Sequence, residues 1–151
     1  MIKVTNNTNP DDPFNLNRFI SAQEEVYHRA LAELNNGNKK SHWIWYIFPQ
    51  FAGLGQSQTS KYYAIKSREE ALAYINHPVL GSRLRECAKV VIAVQGRSVS
   101  EIFGYPDNLK LKSSMTLFSS VASDSVFDRV LDKYFQGNRD DKTLQLLEKL
   151  E

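Results

Sequence analysis

SHWIWYIFPQ, the stretch from Ser41 to Gln50, decides the fold class, because its pattern admits either a strand or a helix. It holds both tryptophans of the chain, Trp43 and Trp45, and it is apolar almost all round. Such a run marks a buried element of either type, so the choice rests on what flanks it. Upstream, Leu16, Ile20, Tyr27, Leu31 and Leu34 recur at helical spacing, with Phe19, Val26 and Ala30 on the same side and Gln23 filling the missing step. The spacing predicts one helix from near Asp12-Pro13, where Asp can cap and Pro suits the first turn, to NNGNKK at 35–40. Gly37 suits the left-handed position after its end.

Downstream, QFAGLGQSQTS (50–60) reads as a loop. SREE (67–70) is a capping-box pattern that opens a helix ended by Asn76-His77-Pro78. Leu80, Leu84, Cys87, Val91 and Val94 form the inner stripe of the next, with Pro78 at its start. A short helical turn at 99–103 precedes GYPDN, where Asp107 can cap a helix running to about Val121. Asp124 or Ser125 starts another, with Val126, Phe127, Val130, Leu131, Tyr134 and Phe135 inward, and DDKTLQLLEKL makes a last short helix. Strand-like alternation is missing elsewhere. The expectation is an all-α single domain of about six helices over 13–151, behind a flexible polar leader, 1–12.

The bulk numbers agree. A chain of 151 residues with 42% hydrophobic and 24% charged residues has the composition of one globular domain. Lys and Arg number 19 against 17 Asp and Glu, so the net charge is only +2. That balance speaks against nucleic acid and anionic membranes as partners. Residues 61–100 are the most cationic part, with 7 basic groups against 3 acidic, which suits a small anionic ligand. A single cysteine excludes an intramolecular disulfide and agrees with a reducing compartment. With no apolar signal segment and no run of about 18 apolar residues, a soluble cytoplasmic protein is expected.

Candidate chemistry is sparse. Cys87 lies on an inner helical stripe and reads as core, since reactive thiols need an electropositive, exposed niche. His28, His42 and His77 are scattered without metal-ligand spacing, and neither a metal nor a cofactor is expected. His42 alone has a suggestive setting, beside the tryptophans. The glycines of GLGQSQ lack the dinucleotide and P-loop patterns and read as turn formers. In PDNLKLKSSMTLF (106–118), Asp107, Lys110 and Ser114 fall on one helix ridge with Ser113 adjacent, an arrangement that can hold a phosphate or carboxylate. It is equally an ordinary solvated face. Arg83 and Arg85 could fork a planar anion or simply lie along a helix surface.

HWIWYIFPQ, SKYYAI, HPVLGSRL and DNLKLKSSMTLF occur in order, and with them the chain resembles the bacterial DUF1810 family from Asp12 to Leu147. Members are often labelled "calpastatin", but a calpain inhibitor of that name is an extended chain, unlike this compact pattern. The resemblance implies a mainly helical fold and no established activity. TSKYYAIKSREEALAYINHPVLGSRLRE (59–86) is also distantly similar to the NADAR hydrolases, which cleave N-glycosidic bonds of nucleotide-like metabolites. Lys61 stands where that group carries an acidic residue, and its Trp-Gly element has no counterpart. No catalytic residue is therefore assigned, although Asp107 or Glu70 could substitute.

Two functions follow as expectations. The first is a binding protein, or N-glycosidic hydrolase, for a nucleotide or ADP-ribose-like anion. Trp43 or Trp45 would stack a ring, His42, Gln50 and Tyr62 would give polar contacts, and Lys66, Arg83, Lys110 and its neighbouring hydroxyls would hold phosphate. The second is a non-enzymatic interaction module or homodimer, with Trp43, Trp45 and Phe48 as exposed anchors. On a helix, Trp43 and Ile47 share one side and Trp45 and Phe48 another, with His42 and Tyr46 one turn apart. One side is then core, and the other, with Gln50 beyond the Pro, a pocket wall.

Overall fold

The computed structural model describes residues 10–122 and 126–150. Ten helices run through them in the order α1 (Asn17–Glu24), α2 (Tyr27–Asn35), α3 (Ile44–Ile47), α4 (Gln58–Tyr62), α5 (Arg68–Asn76), α6 (Leu80–Ala93), α7 (Val99–Phe103), α8 (Asp107–Val121), α9 (Val126–Phe135) and α10 (Asp141–Glu148). The all-α expectation holds, but about six helices become ten. Among the described residues the only β pairing is an isolated parallel bridge between Phe51 and Ile65. Most of the expected leader, and the expected start at Asp124 or Ser125, lie outside the described residues.

The extra helices come from breaks and single turns. The predicted long first helix divides into α1 and α2 at Glu25-Val26. Gln23, the polar step in its stripe, is 1% exposed and donates from its amide to the Tyr46 carbonyl at 2.7 Å and the Tyr74 hydroxyl at 3.1 Å. The first helix opens at Asn17 rather than near Asp12-Pro13, and Asp12 reaches its start from the preceding turn, accepting from the backbone N–H of Leu16 at 2.7 Å and of Asn17 at 3.0 Å. The deciding aromatic stretch is one turn of helix, α3, rather than a strand.

The long helix α8 sits at the centre, packed against α9, α5, α7, α10 and α3. It is buried almost all round from Leu111 to Phe118, and two of the three hydroxyls there bond back along the helix, whereas Ser114 Oγ is buried with no partner among the described residues. Ser113 donates to the Leu109 carbonyl at 3.2 Å and Thr116 to the Lys112 carbonyl at 2.8 Å. A relay of rings crosses this core. Phe19 meets Tyr74 edge-on at 5.0 Å, Tyr74 meets Phe118 at 5.4 Å, and Phe118 meets Phe127 at 5.9 Å. Those contacts join α1, α5, α8 and α9. All six inward residues expected of α9 are buried, and its Tyr134 donates to the Val91 carbonyl of α6 at 2.6 Å.

Candidate ligand-binding cavity

The cavity begins with how α3 meets its surroundings. Glu33 of α2 accepts from the backbone N–H groups of Lys40 and Ser41 at 2.9 Å each, from the Ser41 hydroxyl at 2.6 Å and from the Trp43 indole at 2.9 Å. Burial works against its charge, yet the donors from Ser41, Lys40 and Trp43 prevail and lower its pKa to about 2. This carboxylate pins Trp43 inward, where it is 1% exposed, and Ile44, Ile47 and Phe48 follow it into the core. Trp45 and Tyr46 are left half-buried on the opposite side.

Trp45 forms one wall of a cavity of about 190 Å³, lined further by Gln50–Gly53, Gly55, Ser60, Lys61, Tyr63, Ala64 and Lys66. The two chain segments that make its walls are zipped together, with Ile65 N–H donating to the Gln50 carbonyl at 2.9 Å and Ala52 N–H to the Ile65 carbonyl at 2.8 Å. Gly55 is required by close approach, because a Cβ there would lie 2.5 Å from the Ser60 side chain. Behind the wall, the buried Arg18 guanidinium donates to the carbonyls of Tyr62 at 2.8 Å and Ala64 at 2.9 Å, and to Glu70 at 2.7 Å. Glu70 also accepts from the Lys66 N–H at 2.9 Å. Arg18 and Glu70 thus hold the 62–66 segment from within.

The capping box read at 67–70 is half formed. Ser67 accepts from Glu70 N–H at 3.0 Å, whereas the Glu70 carboxylate turns to Lys66 and Arg18 instead of reaching back.

The sequence-derived site residues divide sharply. Trp45, Gln50 and Lys66 line the cavity. Lys110 adjoins it, with its ammonium 4.9 Å from the centre of the Trp45 ring. Asp107 does not cap α8. Its carboxylate instead faces Lys39 at 2.6 Å and Lys110 at 3.5 Å. Tyr62 lies next to the wall, is exposed, and stacks edge-on against Tyr63.

The other candidates lie elsewhere. Trp43 is core, and His42 is exposed and outside the cavity lining. Ser113 and Ser114 are buried within the helical core, so the expected phosphate ridge on α8 does not form. Arg83 bonds Gln23 at 3.2 Å, lies over the Tyr27 ring at 4.8 Å and faces Glu24 at 3.8 Å. Burial pushes the Cys87 thiol up to about 12, which leaves it inert as a nucleophile. Burial likewise raises the Tyr27 phenol, helped by Cys87 and Glu86, and that phenol donates a short hydrogen bond to Glu86.

Sequence reasoning missed Lys61, Tyr63, Ser60 and the small residues of the 51–55 loop. Lys61 was legible only as a departure from an expected acid, and the glycines only as turn formers. Their signal was position, since they flank the aromatic stretch and the SKYYAI segment.

What the cavity offers chemically is limited and specific. It has one indole ring, a phenyl ring, an amide, a hydroxyl, a phenol ring and two ammonium groups, and among the described residues no carboxylate lines it. Trp45 Nε1 is shielded and has no hydrogen-bond partner among the described residues. Among those residues no group of three or more His, Cys, Asp or Glu could hold a metal ion. No helix among them is long and apolar enough to cross a membrane.

Comparisons with known proteins bear on the fold and the family. The chain is 50% identical to a crystallised conserved hypothetical protein, Rv1873 from Mycobacterium tuberculosis, with a TM-score of 0.90 over 91% of this chain and 99% of that one. A comparison with curated proteins returned no match. The family model described as "Protein of unknown function (DUF1810)" matches residues 13–147. With nearly the whole described domain inside that match, the chain belongs to the DUF1810 family.

Proposed function

We propose that this protein binds a small metabolite with a planar ring, of the kind found in nucleotide-like compounds, in the cavity walled by Trp45. The observation that carries this reading is the lining itself. It joins an indole ring to two lysines that make no ion pair among the described residues. Aromatic walls with a few convergent polar groups are the usual make-up of a small-molecule site.

Hydrolysis of an N-glycosidic bond does not follow from this lining. Such chemistry needs a carboxylate to activate water or steady an oxocarbenium ion. The two acids considered from the sequence are engaged elsewhere, Glu70 with Arg18 and Asp107 with Lys39 and Lys110. The reading is therefore binding, with catalysis left to any residue that a bound ligand would itself reveal.

A thermal-shift panel of NAD, ADP-ribose, mononucleotides and flavin precursors tests it, with Trp45→Ala as the control. At least one compound is expected to raise Tm at millimolar concentration, and the shift is expected to vanish in the variant. No shift with any compound, or an undiminished shift in Trp45→Ala, would overturn the proposal.

A further inference from the structure

We infer that the ligand group entering this cavity is a single ring carrying its own negative charge, a compact aromatic carboxylate or phosphate, recognised by Lys61 and Lys66 against Trp45. The inference rests on the binding reading and narrows it by two independent observations, size and charge.

Size comes first. The cavity measures about 190 Å³. An apolar cavity of about 150 Å³ accepts benzene, whereas sites for drug-sized ligands run from about 300 Å³ upward. One ring with a small substituent fits, and a complete dinucleotide does not. Any larger ligand would place one ring inside and the remainder on the surface.

Charge comes second. Lys61 and Lys66 both line the cavity, and among the described residues no acid lines it with them. Neither lysine is drawn into an ion pair among the described residues, in contrast to Lys39 and Lys110, which share Asp107. Glu69, the nearest acid in sequence to Lys66, is exposed on α5 and forms no ion pair with it, and Glu70 is turned inward to Arg18 and is 3% exposed. A third ammonium, that of Lys110, lies over the Trp45 ring. A cation already drawing on the π-cloud of that indole makes it a poor seat for a cationic ligand and leaves neutral or anionic rings favoured. The two unpaired ammonium groups then select the anion, since charge-assisted hydrogen bonds to carboxylate or phosphate oxygens are roughly twice as strong as neutral ones.

The experiment follows the two indole N–H signals of the folded protein by two-dimensional NMR during titration with benzoate, phenyl phosphate and benzamide. Trp43 serves as an internal reference, because its indole is committed to Glu33 in the core. Benzoate or phenyl phosphate is expected to move the Trp45 signal and leave that of Trp43 in place. Benzamide, the neutral isostere, is expected to bind about tenfold more weakly. The Lys61→Gln/Lys66→Gln variant is expected to lose that preference while keeping the rest of its spectrum, since both side chains are exposed.

Benzamide binding as tightly as the anions, or an anion preference that survives in the variant, would overturn the inference and leave the binding reading standing. A Trp45 signal that none of the three probes moves at millimolar concentration would overturn both. The carboxylate and phosphate arms separate the two anion types by their relative affinities.

Discussion

At the residue scale, two tryptophans two positions apart have opposite roles, and a carboxylate ten residues upstream of the first decides which is which. Glu33 takes the indole N–H of Trp43 together with three donors from Lys40 and Ser41, so Trp43 turns inward and Trp45 outward. Its carboxyl is held at about 2, well below the usual value near 4.3 in an unfolded chain. The stabilisation from a depressed carboxylate is complete above the unfolded pKa and is lost as pH falls through the folded one. Because Glu33 is partly solvated, its charge-assisted bonds are worth about 1–2 kcal/mol rather than the full value of the shift. Glu33→Gln is therefore expected to be less stable than the parent by about that amount at neutral pH in urea unfolding. The gap is expected to narrow as the pH is lowered through the window between the unfolded pKa and about 2. A gap independent of pH would mean that packing, not charge, accounts for the difference. The sequence did not expose this anchor, because Glu33, between Ala32 and Leu34, looks like an ordinary acid near a helix end and its partners lie beyond Gly37.

At the element scale, local punctuation was legible and long-range polar bonding was not. The α9 face could be read because six apolar residues repeat at helical spacing, and all six are buried. The stop at Gly37 was legible too, since the residue has a φ of 65°. The break between α1 and α2 was not, because no glycine or proline marks it. Its only trace was Gln23 in an apolar stripe, whose partners Tyr46, Tyr74 and Arg83 are 23 to 60 residues away. The α8 ridge misled for a related reason. Its serines look polar in the sequence, yet small hydroxyls that bond their own helix can be buried at little cost, as Ser113 is.

The junction of α5 and α6 shows how tightly these short helices abut. A Cβ on Gly81 would lie 2.1 Å from the Ile75 carbonyl oxygen, a backbone atom that cannot rotate away. Gly81→Ala is expected to force the two helices apart and cost about 3 kcal/mol in denaturant unfolding. A loss below about 1 kcal/mol would show that the hairpin yields easily, as ordinary surface substitutions do.

At the scale of the whole molecule, burial distinguishes the two functions that the sequence left side by side. An interaction surface anchored on Trp43, Trp45 and Phe48 needs those rings outside, yet Trp43 is 1% exposed and Phe48 is fully buried. Among the described residues, the large apolar ones that face solvent are Tyr62, Leu72, Val79, Tyr105, Leu109 and Leu150, and none belongs to the aromatic stretch. The same burial leaves Trp45 beside a cavity whose walls are fastened by the Arg18–Glu70 pair and the bridge between Phe51 and Ile65. A site built on such held segments is preformed, and that favours a ligand over a surface that must first open. The most direct check is a crystal structure of the protein soaked in benzoate. The account expects a ring in the cavity against Trp45, with its carboxylate toward Lys61 and Lys66. Density for benzoate only elsewhere on the molecule, with the cavity at Trp45 unchanged at saturating concentration, would contradict it.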